Sequence, residues 1–186
     1  MIASMVLSFL GGLALSIRVF VSLMLLLSAR RKLSQLSEFA GVVRNYQLIP
    51  DRMVVAAANG IVATEGAVGV ALFIWPSSLL PAVAASSLFA VFAVAVMLNL
   101  IRGRRDLMCG CDNDGTIAWS VVWRNVFLGC VVSGGAWYGA ERLNDVIDWV
   151  SAVLCGVSLL GVYEAVHGLL AIGLLVNSPI GSRKMV

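Results

Sequence analysis

The sequence predicts an all-α, polytopic membrane helical bundle, and three observations carry that prediction. Apolar residues make up 60% of the 186-residue chain and charged residues only 12%, about half the share found in soluble globular domains. The mean hydropathy is +0.97. The apolar residues fall in continuous runs of bilayer-spanning length, without the alternation of a membrane barrel. The length fits a single membrane domain over residues 1–186.

Five spans are predicted, at about 3–29, 53–75, 79–101, 117–139 and 149–176. The first is broken only by Arg18. Leu27-Ser28-Ala29 before Arg30 has the look of a cleavage site, but the stretch lacks a basic leader and is too long for a signal's apolar region. Between the first two spans, Leu36, Phe39, Val42, Val43 and Tyr46 fall at helical spacing, with Glu38 and Arg44 on other faces. That spacing predicts a short interfacial helix over about 34–48, ended by Ile49-Pro50, with Tyr46 at headgroup depth. The second span contains Asn59 and Glu65 and stops at Trp75-Pro76. The third ends in Asn99. The fourth carries Arg124 and Asn125 one turn inside, and the fifth contains Glu164 and His167.

With five spans, segments 30–52, 102–116 and 177–186 share one side and hold about ten Lys and Arg residues. The other side holds only Arg142. The positive-inside rule therefore assigns the basic side to the cytoplasm and the chain to the cytoplasmic (inner) membrane as a multi-pass protein. The net charge of +3 is explained by this topology and is no nucleic-acid signature.

The polar run 102–116 contains Cys109-Gly110-Cys111, the strongest chemical signal in the chain. A thiolate is the nucleophile of disulfide exchange, and positive charge favours it. Arg102, Arg104 and Arg105 precede the pair, while Asp106, Asp112 and Asp114 oppose them. A disulfide closed across one residue is a tight ring, and strain makes such a bond easier to reduce. Reversible thiol–disulfide chemistry is the leading reading. Soft-metal ligation, a structural disulfide and two idle thiols remain alternatives. Cys130 and Cys155 stand alone in apolar runs and read as small hydrophobes.

Ionisable residues at membrane depth are costly and are functional candidates by default. Arg18, Glu65, Arg124, Glu164 and His167, with Asn99, form a candidate proton or quinone site. The plainer expectation is pairing inside the bundle, Arg18 with Glu65 or with Glu164, and a snorkelling Arg124. Glu164 and His167 share a helix face and resemble half of a di-metal motif. No second copy exists, and no metal site is expected. Asn59, Asn99 and Asn125 are expected to hydrogen-bond between helices, and Gly66, Gly69, Gly134 and Gly135 to let helices approach closely.

A set of ordered pieces resembles a known family. They are Ala29-Arg-Arg-Lys32-Leu33, Phe39-Ala-Gly-Val-Val-Arg-Asn-Tyr46-Gln-Leu-Ile-Pro50, Glu65-Gly66, Asn99-Leu-Ile-Arg102-Gly103-Arg104, Cys109-Gly110-Cys111, and Trp119 through Trp123-Arg124-Asn125. Together they are similar to the MauE (methylamine utilisation) branch of the DoxX-like membrane proteins, from the first span to about residue 130. The chain departs from the family pattern at Arg31, where relatives often carry histidine, and at Asp112–Gly115, where they often carry Phe-Gly. The resemblance implies a four-helix DoxX-like core with a fifth, C-terminal transmembrane helix. It also implies a role in maturing a disulfide-rich client such as methylamine dehydrogenase, alongside a thioredoxin-like protein. The client's disulfides form outside the cytoplasm, which would put Cys109 and Cys111 on the outer face, against the charge count.

The functional expectation is a membrane thiol–disulfide redox protein in which Cys109 and Cys111 exchange with a thioredoxin-like partner, with a quinone as candidate electron carrier. One alternative is a soft-metal transporter with Cys109 and Cys111 as entry ligands, extended by Met24, Met53, Met97 and Met108. Another is a non-enzymatic scaffold that docks its partner along 30–52, through Lys32 and Tyr46.

Overall fold

The computed structural model describes residues 2–76, 78–108, 117–138 and 146–177. These form helices and no strand: α1 (Ile2–Ser34), α2 (Leu36–Tyr46), α3 (Val54–Ile74), α4 (Leu79–Ile101), α5 (Trp119–Tyr138) and α6 (Val146–Asn177). The chain is an all-α membrane bundle. Among the described residues, stretches of α1, α4, α6 and α3 with the turn before it are long and apolar enough to cross a membrane. The predicted limits of α4 match the observed ones. α5 is comparable in length but carries Arg124 and Asn125, which lower its hydropathy. Asn125 is buried in the bundle.

α1 is the central element and packs against α3, α5 and α6. It runs antiparallel to α3: the Ser22 hydroxyl donates to the Gly69 carbonyl across 2.7 Å, and the Ser28 hydroxyl donates to Glu65 farther along. The approach at Ser22 requires a glycine, because a Cβ on Gly69 would lie 2.9 Å from Leu26 Cγ and 3.3 Å from the Ser22 carbonyl. α4 and α5 form the other tight antiparallel pair, tied by Ser86, whose hydroxyl donates to the Gly129 carbonyl at 2.9 Å. Small residues admit such close backbone approach in membranes. Val21, Leu25, Leu72, Phe89 and Val132 meet in the largest apolar cluster, where α1, α3, α4 and α5 converge. α6 lies on the outside of α1, with Gly156 against Val19.

α1 continues past its predicted end to Ser34. Its periodicity persists: Ser22, Leu25, Ala29 and Lys32 are all buried at helical spacing. The chain turns at Gln35 into α2, and the expected apolar face of α2 is observed. Phe39 packs with Ala29, Ala58 and Val62, so α2 lies on α3. Glu38 and Arg44 are exposed. The helix stops at Tyr46, three residues before Ile49, and is capped by Gln47, whose φ of 50° is left-handed and whose N–H donates to the Arg44 carbonyl. Pro50 instead starts the 3-10 turn Asp51–Met53 that leads into α3. Tyr46 is buried among Ala93, Val96 and Leu100 of α4 and Val122 of α5.

Candidate functional site

The site begins where α4 ends. Gly103 adopts a φ of +77°. Its N–H donates to Leu100, and the Arg104 N–H donates to Asn99. These paired bonds make a Schellman cap, so Asn99-Leu-Ile-Arg-Gly-Arg is a helix stop that only glycine fits easily. Arg104 then reaches the Gln47 side chain at 3.2 Å and Asn99 Oδ1 at 3.4 Å. Beyond it, the Ile117 N–H donates to the Leu107 carbonyl at 2.9 Å. This contact closes a neck where the chain leaves the described residues and returns to them. Ile117 and Leu107 pack in the cluster that holds Tyr46 and Val96. Cys109 and Cys111 lie outside the described residues, within the segment that this neck brackets.

One turn from the end of α1, Lys32 Nζ donates to Glu65 Oε1 of α3. The side chains are 6% and 1% exposed, so the pair is inside the protein. Ser28 donates to the second carboxylate oxygen at 3.3 Å. The ammonium also lies 4.9 Å from the ring centroids of Phe39 and Phe92, a cation–π arrangement that is strong when desolvated. The lysine charge is thus met on three sides by α2, α3 and α4.

The pair stands between two spaces, one lined almost wholly by apolar residues and one of mixed lining. α3 and α4 pack on each other far less than α4 packs on α5. Between them and α2 lies a cavity of about 600 Å³. Its lining is apolar, with Lys32, Tyr46 and Asn125 as the exceptions. On the other side is a chamber of about 40 Å³ bounded by Ser28, Arg31, Glu65, Arg124, Tyr163 and Glu164. Phe92 and Asn125 line both. Arg31 and Glu164 pair at 3.0 Å with side chains 40% and 36% exposed, so the chamber's far wall reaches the surface. Arg124 donates to the Tyr163 hydroxyl at 2.7 Å.

Several expectations are corrected by this geometry. Arg18 pairs with neither Glu65 nor Glu164: Lys32 takes the first and Arg31 the second. Nε and Nη2 of Arg18 are buried with no hydrogen-bond partner among the described residues. Arg124 does not snorkel; it is partly buried and bonded to α6. The three asparagines direct their amides within their own helices, Asn59 to Val55, Asn99 to Ala95 and Asn125 to Val121. Lys32 and Tyr46 are buried and line the cavity, so neither side chain is presented to a docking protein. The His167 side chain lies outside the described residues, and Glu164 serves an ion pair. No group of metal-ligating side chains occurs among the described residues. Met24 and Met97 belong to different apolar clusters, and Met53 and Met108 are exposed. Sequence reasoning missed the Lys32–Glu65 pair; the buried face of α1 extended to position 32 would have placed Lys32 inside the bundle but not named its partner.

The comparisons with known proteins bear on the same region. Residues 10–138 match the family model described as Methylamine utilisation protein MauE. A relative of that name from Paracoccus denitrificans is 38% identical over 116 residues, covering 61% of this chain and 62% of the relative. One from Paracoccus versutus is 34% identical over 152 residues, covering 80% and 82%. One from Methylorubrum extorquens is 34% identical over 157 residues, covering 80% and 83%. The first of these alignments spans less than two thirds of the relative. The chain matches no solved structure. The matched stretch runs from α1 through α5 and includes the ion pair, both cavity walls and the neck, so the chain belongs to the MauE family of methylamine utilisation proteins.

Proposed function

We propose that this protein is a membrane thiol–disulfide redox protein in which Cys109 and Cys111 exchange with a thioredoxin-like partner. The exchange supports maturation of a disulfide-rich enzyme such as methylamine dehydrogenase. The observation that carries the reading is the neck: the Leu107–Ile117 bond and its apolar packing anchor both ends of the cysteine segment on the bundle. An exchange site needs such an anchor, because a thiolate must meet a partner's sulfur in a defined orientation. In the step, one thiolate attacks the partner's disulfide and forms a mixed disulfide, releasing the partner's other thiolate. The second cysteine then attacks the mixed disulfide, leaving a Cys109–Cys111 disulfide and a reduced partner. The reverse sequence oxidises the partner.

The test is trapping. Cys111→Ser should accumulate a mixed disulfide through Cys109, visible as a reductant-sensitive band on non-reducing gels. The double variant Cys109→Ser/Cys111→Ser should form none and should fail to support growth on methylamine where the wild-type protein does. Full function of the double variant would overturn the proposal.

A further inference from the structure

We propose that the cavity between α2, α3 and α4 is the binding site of a membrane quinone, and that the chamber behind Glu65 supplies the protons its reduction takes up. The electron source rests on the thiol reading above; the site itself stands on the cavity.

The lining selects the occupant. Its walls are aliphatic and aromatic, and Val91, Val94 and Leu98 on its α4 side are also exposed on the outer surface of the bundle. A lipid-soluble molecule can therefore enter sideways and leave its tail among lipids. Polarity is confined to Lys32, Tyr46 and Asn125. The lysine charge is already balanced by Glu65, so the cavity offers no net positive charge to a phosphate headgroup. An ammonium has three N–H donors, and Glu65 takes one. The Phe39 and Phe92 rings lie against the rest of the ammonium, and a neutral carbonyl oxygen, a better acceptor than a ring face, can take one of those donors. A neutral ring bearing carbonyls, with a long apolar tail, is a quinone.

The other two requirements of quinone reduction are also met. Protons have a route: Glu65 faces the chamber, and the chamber's far wall is the part-exposed Arg31–Glu164 pair. For electrons, the neck residues Leu107 and Ile117, which bracket the cysteine segment, pack with Tyr46, which lines the cavity. The reaction balances as two thiols plus quinone giving one disulfide plus quinol. The sulfurs lose two electrons and form the S–S bond, and their protons leave at the cysteine segment. Each quinone oxygen gains one electron and one proton, the protons delivered through Lys32 and Glu65 and replaced from the chamber.

The experiment uses full-length protein in phosphatidylcholine nanodiscs, with decylubiquinone as the ligand. Binding is read in the Cys109→Ser/Cys111→Ser background, which lacks the proposed exchange pair. Saturable binding is expected, weakened about tenfold or more by Ala95→Phe, which fills the cavity, and by Lys32→Met/Glu65→Leu, which removes the donor without stranding a charge. Helical circular dichroism confirms that each variant is folded. Absence of saturable binding, indifference to Ala95→Phe, or displacement by phosphatidylglycerol would overturn the site. With reduced wild-type protein, decylubiquinone should lose its quinone absorbance. Glu164→Gln should slow that loss severalfold, and Glu164→Asp should slow it less. Equal rates for Glu164→Gln and wild type would overturn the proton route. Intact binding with no quinone reduction would overturn the thiol reading and leave the site standing.

Discussion

A charged side chain at membrane depth costs about 2.5–3.5 kcal/mol on insertion scales, and the bundle treats its charges in two different ways. Lys32 and Glu65 satisfy each other. Breaking such a pair strands a charge, at about 3–5 kcal/mol, whereas replacing both members with apolar residues is often neutral. Lys32→Met alone should therefore lower the thermal unfolding temperature in detergent, and Lys32→Met/Glu65→Leu should recover most of it. A double variant no better than the single would show that the pair's packing, and not its charge balance, holds the site. Arg18 is the opposite case, buried with two guanidinium nitrogens unpartnered among the described residues. Arg18→Met should unfold at the same temperature or higher; a clear drop would mean that the membrane-embedded protein gives Arg18 a partner. Glu65 was legible as a site residue because a carboxylate inside an apolar run stands out. Its partner was not. Ser28 and Lys32 are the α1 residues that bond Glu65, and even the nearer, Ser28, lies ten residues beyond Arg18, about 15 Å along the axis at 1.5 Å per residue. Only the register of α1 against α3 reveals this, and register is a property of packing.

At the scale of elements, α6 shows how one helix is held by few groups. Its described membrane-crossing stretch is little buried, and its docking rests on α1. A Cβ on Gly156 would lie 2.8 Å from Val19 Cγ1 and 3.1 Å from the Phe20 backbone nitrogen. The backbone cannot yield as a side chain does, so Gly156→Ala should cost about 1–3 kcal/mol as overpacking. It should also loosen the Arg31–Glu164 and Arg124–Tyr163 contacts above it. Limited proteolysis should cut the Gly156→Ala protein on the α5–α6 side faster than wild type, while Gly161→Ala, at a position open to space, should behave like wild type. The sequence showed the long helices clearly because continuous apolarity is a one-dimensional signal. It showed α2 by its spacing but misplaced its end, since Gln47 adopts a left-handed cap before the proline can act. The asparagines were misread for a related reason. An amide in a helix can reach the carbonyl four residues back, and sequence alone does not say whether a neighbouring helix competes for it.

The whole molecule is polarised from end to end. The antiparallel pairs α1–α3 and α4–α5 bring the end of α1, all of α2, the start of α3, the end of α4 and the neck to one end of the bundle. Arg30, Arg31, Lys32, Arg44, Arg52, Arg102, Arg104 and Arg105 all lie there. Three of these are in ion pairs, Arg31 with Glu164, Lys32 with Glu65 and Arg44 with Asp51. Five remain, and among the described residues the opposite end has no Lys or Arg. Retention of Lys and Arg on the cytoplasmic side depends on such residues near span ends, so the asymmetry survives removal of the paired ones. The cysteine segment, bracketed by the neck, is therefore expected on the cytoplasmic side. The measurement is labelling of intact cells with a membrane-impermeant maleimide, in a Cys130→Ser/Cys155→Ser background that leaves Cys109 and Cys111 as the only thiols. Labelling that requires both reductant and permeabilisation would fix the segment inside and oxidised at rest. Labelling of intact cells would put it outside, on the side where a secreted client forms its disulfides, and would make this bundle an exception to the charge rule.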